Sequence, residues 1–239
     1  MIQTKPMTQE HLNNRDIVYV LNASQFADLI TPVIQEYNKE HKRGTLTPEL
    51  VTKTFQTIWQ ERGRLAGIKF EVTPCPFTKE ELADLEKKEL RLGYLPTALA
   101  TQESRHILGK MFPKMQSRSV QEGNGVANDG NPFGWFDYEV SVNAPHTKTT
   151  VDELMNKLGK AKRQLLSLNQ YLIASQDSKL FKGQYLDEGN TRARVGSRSG
   201  SDLINAYIDP DGYLHVDWFL PRRDSYPDLG GRSSGVNRA

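Results

Sequence analysis

The chain has 239 residues, of which 37% are hydrophobic and 25% charged, a composition typical of folded globular proteins rather than of disordered ones. Its net charge of +2 argues against a strongly basic nucleic-acid-binding protein but allows a local basic patch. The single cysteine, Cys75, rules out an internal disulfide bond. We find no secretory signal and no apolar run of the roughly 20 residues that a membrane span needs. We therefore expect a soluble, cytoplasmic protein without a membrane partner.

The first hundred residues carry mainly helical patterns. Apolar residues recur at helical spacing between Phe26 and Tyr37, and Pro32 within them predicts either a kink or a helix that begins there. Thr47 and Pro48 form an N-cap and first-turn pair that predicts the start of a second helix.

A short strand and a third helix are predicted next. Residues 68–72 have the composition of a strand. Thr78 and Glu81 form a capping box for the third helix, and Gly93 is placed to end it. Residues 101–112 predict a further short helix.

The middle of the chain is a Gly- and Asn-rich stretch, residues 117–132, which predicts a long loop and the best position for a subdomain boundary. Residues 135–142 alternate as a strand does, with Asp137 and Glu139 on the face that we expect to point outward. Trp135 on that face could stack on a base or sugar. If the strand joined the sheet of the C-terminal hairpin, the two carboxylates could bind a divalent cation there.

Two more helices and a hairpin complete the pattern. Thr150 and Glu153 form a capping box before an amphipathic helix, and residues 168–181 predict another helix. The turn at residues 209–212 predicts a three-residue hairpin loop with Gly212 in a left-handed conformation.

This turn sets the register of the hairpin from Leu203 to Leu220. The apolar cross-strand pairs on one face are Ile208 with Leu214, Ala206 with Val216, and Ile204 with Trp218. On the other face the pairs are Tyr207 with His215, Asn205 with Asp217, and Leu203 with Phe219.

The first candidate site is a Gly/Ser-rich stretch that contains Arg192, Arg194 and Arg198, together with Ser199 and Ser201. Guanidinium forks bind phosphate or carboxylate, while glycine and serine supply further donors, so a loop of this composition could bind an anion. The spacing matches no phosphate-binding fingerprint. The simpler interpretation, which the sequence favours, is a solvated loop whose arginines pair with nearby acidic residues such as Asp187, Glu188 or Asp202.

The second candidate site is the polar face of the hairpin. His215 can titrate near neutral pH, Asp217 lies two residues further along the same face, and Tyr207 faces His215 across the strands. These three side chains could carry out acid–base catalysis on a bound substrate. The simpler and favoured interpretation is an outer sheet surface with an ordinary cross-strand contact.

Three weaker motifs carry no function by themselves. Glu103 and His106 have a metal-ligand spacing but occur in one copy, so we expect no metal site. The stretch Gly231 to Gly235 matches a nucleophile-elbow pattern without the acid and histidine that should follow, and we expect residues 232–238 to form a flexible tail. Cys75 is expected to be a structural thiol.

These patterns predict an α+β fold, with a helical N-terminal region and a mainly antiparallel sheet in the C-terminal half. We divide the chain into residues 1–116 and 117–239, which could also form one continuous domain. The leading functional hypothesis is a protein that binds an anionic partner, nucleic acid or a phosphorylated ligand, through the arginine segment and Trp135. The alternatives are an enzyme acting on a phosphate- or carboxylate-bearing substrate, and a structural or interaction protein. The sequence does not identify whether a cofactor is bound.

Overall fold

The computed structural model describes residues 15–128, 133–218 and 222–238, without the side chains of residues 15–27, 65 and 113. The fold is α+β, with helices in the N-terminal half and antiparallel sheets in the C-terminal half. In the described part of the chain, no helix combines the length and the apolar composition needed to cross a membrane.

The α-helices of the described residues are α1 (Arg15–Arg43), α2 (Pro48–Ala66), α3 (Lys79–Lys87), α4 (Arg105–Met111), α5 (Val151–Lys160) and α6 (Leu168–Lys182). The strands are β1 (Leu90–Leu95), β2 (Val126–Ala127), β3 (Gly134–Glu139), β4 (Gln164–Leu165), β5 (Arg192–Ser199), β6 (Asp202–Ile208), β7 (Leu214–Asp217), β8 (Leu229–Gly231), β9 (Ser233–Ser234) and β10 (Asn237–Arg238).

Helix starts follow the predicted caps. The hydroxyls of Thr47, Thr78 and Thr150 each accept a backbone N–H of the first turn, and the last two form complete capping boxes. One of the two alternatives at Pro32 and one predicted boundary are wrong. Helix α1 (Arg15–Arg43) runs through Pro32, so no helix begins at that proline. Gly93 does not end α3, because that helix already ends at Lys87.

Gly93 instead lies in β1, directly opposite Phe136 of β3. A Cβ atom at Gly93 would lie 2.6 Å from the ring of Phe136, which is closer than carbon atoms approach. The glycine is therefore needed for the close approach of two paired strands, and not for a helix cap.

Residues 68–72, which the sequence predicts as a strand, have no regular secondary structure and belong to no described sheet. Their burial alternates as in a strand. Phe70 and Val72 are buried, whereas Lys69 and Glu71 are exposed. The predicted strand assignment is thus wrong, since no described strand pairs with this segment, although its alternation of buried and exposed residues is the one expected.

The strands form three sheets in the described chain. The first has the order β1–β3–β10 and the second has β2–β5–β6–β7, with β8 parallel to β5; β4 and β9 pair separately. Because β3 and the hairpin lie in different sheets, Asp137 and Glu139 do not join the polar face of the hairpin. The outward face predicted for β3 is also wrong, since Asp137 is only 2% exposed.

The C-terminal hairpin has the predicted register. Ile208 pairs with Leu214 and Tyr207 with His215, and the N–H of Asp209 donates to the carbonyl of Tyr213. Gly212 has a φ of +86°, as the three-residue loop requires. The β6–β7 ladder ends at the Asn205–Asp217 pair, so it does not include Trp218. The predicted partner of Leu203, residue 219, lies outside the described residues.

One main hydrophobic core contains residues from both halves of the chain, from Ile30 to Leu214. A smaller cluster lies between α5 and the second sheet. Helix α5 ends at Lys160, Leu165 lies in β4, and Met155 is 42% exposed. The division of the chain at residue 116 stays a prediction.

The predicted flexible tail is wrong. Residues 233–234 and 237–238 form strands β9 and β10, which pair with β4 and β3. Arg232 and Ser233 are fully buried. The Gly and Ser residues, which suggested flexibility, allow this segment to run closely through the interior.

Candidate functional site

The arginine segment is strand β5 rather than a loop, which corrects the prediction from its Gly/Ser content. Arg192 donates two hydrogen bonds to Asp228, from Nε to Oδ2 at 3.0 Å and from Nη2 to Oδ1 at 3.3 Å. Arg194 is 2% exposed and donates to the carbonyls of Thr149 at 2.7 Å and Asp224 at 2.8 Å. Both guanidinium groups therefore hold the fold together, and Arg192 pairs with Asp228 rather than with the nearby acidic residues that the sequence suggested.

Arg198, Ser199 and Ser201 lie at the other end of β5, at its turn into β6. Nη1 of Arg198 donates to the carbonyl of Ser201 at 3.3 Å. Five residues of β5 lie between Arg192 and Arg198, and six steps along a strand correspond to roughly 20 Å. The three arginines therefore do not converge on one small ligand.

The polar face of the hairpin brings together part of the predicted acid–base trio. The rings of Tyr207 and His215 are stacked, with centroids 4.8 Å apart. Nε2 of His215 lies 2.9 Å from Oδ2 of Asp209, so the histidine pairs with the turn aspartate rather than with Asp217. Burial acts to raise the pKa of Asp209, but hydrogen bonds from His215 and Tyr213 outweigh it and lower that pKa.

Asp217 lies in the adjacent cross-strand row, opposite Asn205, which in turn pairs with Arg194. The face therefore carries His215, Tyr207 and Asp217, as predicted. Arg194, which lies beside this face, is buried and donates its hydrogen bonds to backbone carbonyl groups.

Trp135 cannot offer a stacking surface, since it is fully buried. Its ring packs edge-on against Phe55 at 5.1 Å and Tyr94 at 5.0 Å, and its Nε1 donates to the carbonyl of Thr73. The alternating pattern of β3 suggested an exposed face, whereas this sheet is covered on both sides. Trp135 is a core residue.

The side chains of the weaker motifs make local or core contacts. Nδ1 of His106 lies 2.7 Å from the carbonyl of Glu103, so this pair is a local helix contact. Among the described residues, no three His, Cys, Asp or Glu side chains are grouped so that they could bind a metal ion. Cys75 is buried, and burial raises the pKa of its thiol to about 11.

The C-terminal segment contains two charged networks that the sequence analysis missed. In the first, Arg232 forms a two-point ion pair with Asp187, from Nε to Oδ2 at 3.0 Å and from Nη2 to Oδ1 at 2.9 Å. Both side chains are fully buried. The same guanidinium also donates to the carbonyls of Ser141 and Val142. This pair anchors the C-terminal segment inside the fold.

The second network surrounds Asp137. Its Oδ1 accepts the hydroxyl of Ser234 at 2.8 Å and the N–H of Gly235 at 2.7 Å, and its Oδ2 accepts Nη1 of Arg163 at 2.7 Å. Nη2 of Arg163 also lies 3.3 Å from Glu139. The two carboxylates that the sequence suggested as cation ligands are thus occupied by an arginine and by the C-terminal backbone.

A cleft of about 440 Å³ opens beside this second network. It lies between helix α3, the turn after α5 and strand β10. Its charged lining residues are Lys88, Lys162, Arg163, Arg238, Glu81, Asp84 and Asp137. Its apolar lining residues include Phe77, Leu85, Leu90 and Val236. The volume is in the range of small-molecule sites, roughly 300–1,000 Å³.

Each carboxylate of the cleft already has a cationic partner. Glu81 pairs with Arg238 at 2.8 Å, and Asp84 pairs with Lys87 at 3.1 Å. Asp137 pairs with Arg163. Hydrogen bonds from Arg238 and from the backbone of Thr78 lower the pKa of Glu81, so this carboxylate stays ionised at neutral pH.

Two lysines of the cleft, Lys88 and Lys162, have no such partner. Within the described parts of the chain, no residue forms an ion pair or hydrogen bond with either ammonium group. Both side chains are exposed at the cleft. Among the lining residues, the four cations Lys88, Lys162, Arg163 and Arg238 outnumber the three carboxylates Glu81, Asp84 and Asp137, so the cleft keeps a surplus of positive charge.

Sequence reasoning could not have found this cleft. Its lysines come from a helix end and from a distant turn, and neither stands in a recognisable motif. The single local signal is the Gly- and Ser-rich stretch 231–235, which marks the segment that runs beside the cleft. Comparisons with protein-family models, with curated proteins and with solved structures find no match to this chain.

Proposed function

We propose that this protein binds a small anionic ligand, bearing phosphate or carboxylate, in the cleft between α3, the turn after α5 and β10. The observation that carries the proposal is the pair of unpartnered lysines, Lys88 and Lys162, in a cleft whose carboxylates are all paired. An incoming anion would meet two ammonium groups without having to displace an existing ion pair.

The walls of the cleft favour a ligand with an apolar part as well as a charge. Phe77 is buried, and the guanidinium of Arg238 lies 4.4 Å from the centre of its ring. Leu85 and Leu90 add aliphatic surface. Ligand sites commonly combine an apolar lining with a few placed polar groups. A phosphorylated or carboxylated small molecule with a hydrophobic body fits this lining better than a nucleic-acid strand does.

The test is a thermal-shift screen with inorganic phosphate, pyrophosphate, a nucleoside monophosphate, a sugar phosphate, an aromatic carboxylate and short single-stranded DNA, at low and moderate salt. We expect a small anion to raise the melting temperature, with the shift at least halved in Lys88→Ala and Lys162→Ala. The matched control is Lys160→Ala, which removes an exposed lysine on the neighbouring helix.

Arg198→Ala distinguishes the cleft from the site suggested by the sequence. Loss of the shift in Arg198→Ala, with the lysine variants unaffected, would move the anion site to the end of β5. A shift with DNA alone, falling steeply with salt, would favour nucleic-acid binding instead. No shift with any probe would contradict the proposal.

A second candidate function is acid–base catalysis on the polar face of the hairpin. The supporting observation is the 2.9 Å contact between His215 and Asp209, since a carboxylate that orients a histidine is a common arrangement in general-base catalysis. Hydrolase screening with phosphate and carboxylate esters tests it. Activity that His215→Gln abolishes and Asp209→Asn reduces would support this candidate, whereas activity unchanged in both variants would exclude these residues.

A further inference from the structure

Segment 68–72 alternates buried and exposed side chains as a strand does, and among the described residues the backbone groups of residues 69–72 have no protein partners. The N–H of Ile68 donates to the carbonyl of Gly63 at 2.9 Å. No described residue donates to or accepts from the backbone of residues 69–72. An extended backbone with free N–H and C=O groups is a template for pairing with another strand.

The segment is anchored on one side and open on the other. Phe70 and Val72 are anchored in the main core. A groove of about 650 Å³ runs along it, lined by the segment itself and by Gln56 and Gln60 of α2. Both glutamines are exposed. A second strand could therefore approach the free backbone groups without displacing core side chains.

The sequence of the segment, Ile-Lys-Phe-Glu-Val, is complementary to itself in antiparallel orientation. With Phe70 of one copy opposite Phe70 of another, Lys69 lies opposite Glu71 and Ile68 lies opposite Val72. Every cross-strand pair then joins apolar to apolar or opposite charges, and such pairs stabilise a ladder. A shift by one residue would place charged side chains opposite apolar ones.

The hydrogen bonds available agree with this register. If the two Phe70 residues form a non-hydrogen-bonded pair, each flanking Lys69–Glu71 pair exchanges two backbone hydrogen bonds. These bonds need only the backbone groups of Lys69 and Glu71, which are free, and leave the existing bond of Ile68 intact.

We propose that residues 68–72 form an isologous interface, in which two copies of this chain pair antiparallel across a two-fold axis. Each copy then receives the partner strand that its own sheets do not supply, and the groove beside α2 accommodates the segment of the other copy. This inference is independent of the anion-binding cleft, which is lined by different residues.

Charge reversal tests the interface by sedimentation equilibrium over a range of protein concentrations. In Glu71→Lys, lysines face lysines across the axis, and in Lys69→Glu, glutamates face glutamates. We expect the wild type to dimerise and each single variant to do so with a dissociation constant raised about tenfold, since both charge pairs become repulsive. Lys160→Glu, an equal charge change on an exposed residue outside the segment, should dimerise like the wild type.

Mixing the two single variants gives the decisive result. In the mixed dimer every lysine of one chain faces a glutamate of the other, so heterodimers should form at protein concentrations too low for either variant to dimerise alone. The double variant K69E/E71K should dimerise like the wild type for the same reason. Circular dichroism and melting temperatures confirm that each variant is folded.

A wild-type protein that stays monomeric at all concentrations would overturn the proposal. The free backbone groups of residues 69–72 would then be available to a strand of a different protein. Single variants that dimerise as tightly as the wild type would also overturn it, because the dimer would then use a different surface. So would a mixture that fails to restore association.

Discussion

The guanidinium of Arg232 and the carboxylate of Asp187 meet in a two-point ion pair with both side chains fully buried, although they are far apart in sequence. Asp187 also accepts the hydroxyl of Thr191 at 2.7 Å and that of Tyr171 at 3.2 Å. Through Tyr171 and Thr191, the pair thus connects the first turn of α6 and the residues before β5 with the C-terminal segment. Removal of either partner leaves a buried charge without a counter-charge. This lowers the free energy of unfolding more than removal of both partners does.

We therefore expect Arg232→Lys to lower the free energy of unfolding by about 3 kcal/mol or more, because one ammonium group cannot replace the fork that contacts Asp187 and three carbonyls. Urea denaturation measures the change. Arg198→Lys, at the half-buried end of β5, is the matched control and should change stability by less than about 0.5 kcal/mol. If the two substitutions lowered the free energy of unfolding equally, the buried pair of Arg232 and Asp187 would not stabilise the fold more than an ordinary surface contact does.

The second prediction concerns Gly230 in β8. A Cβ atom there would lie 2.2 Å from the carbonyl oxygen of Pro145, so Gly230→Ala must displace backbone and should destabilise the protein by about 2 kcal/mol or more. Gly159 in α5 is the control, because nothing lies within 4 Å of its Cβ position. Gly159→Ala should stabilise the protein by roughly 0.5–1 kcal/mol through helix propensity. Thermal melts that show the same sign for both substitutions would refute this assignment.

The third prediction concerns the thiol of Cys75. Burial raises its pKa from 9.0 to about 11, so at pH 8 the folded protein holds about a hundredfold less thiolate than the unfolded chain. Alkylation by iodoacetamide should be slow in buffer and fast in denaturant. Because the neutral thiol is favoured in the fold, its contribution to stability is full below pH 9 and is lost as the pH rises towards 11. Fast alkylation of the native protein at pH 8 would show that the thiol is accessible.

The fourth prediction concerns Arg105, which is fully buried beside the long loop in the middle of the chain. Its guanidinium donates to Asn169 at 2.7 Å, to the carbonyl of Val126 at 2.7 Å and to Asn128 at 2.7 Å. Because the Met side chain carries no donor, Arg105→Met should loosen this loop before the rest of the fold. Hydrogen exchange should then accelerate in residues 117–128 more than in β6. Uniform acceleration would indicate that Arg105 supports the whole core instead.

Local signals in the sequence predicted the local structure well. The capping boxes at Thr78 and Thr150 are present, and the hairpin register follows from the turn at Asp209 and Gly212. These features depend on residues within a few positions of one another, so the chain specifies them wherever it lies in the fold.

Predictions that needed knowledge of the surroundings were wrong. Glycine and serine in β5 suggested a loop. A Cβ atom built on Gly196 would lie 3.2 Å from the carbonyl oxygen of Leu165, so this strand position needs a small residue for close packing. The same composition suggested a flexible tail at residues 232–238. In both segments, small residues allow the backbone to pack closely in the interior of the protein. Composition alone does not distinguish such a buried segment from an exposed loop.

The sequence by itself therefore determined the α+β class, the helix caps and the register of the hairpin, because short-range hydrogen bonding and side-chain alternation decide these features. The tertiary structure alone decided which charges meet. It buries Arg232 against Asp187, occupies Asp137 with Arg163, and leaves Lys88 and Lys162 without carboxylate partners at a cleft. The physical reason is that pairing of charges depends on distance in space, which residues far apart in the chain acquire only when the whole core has packed.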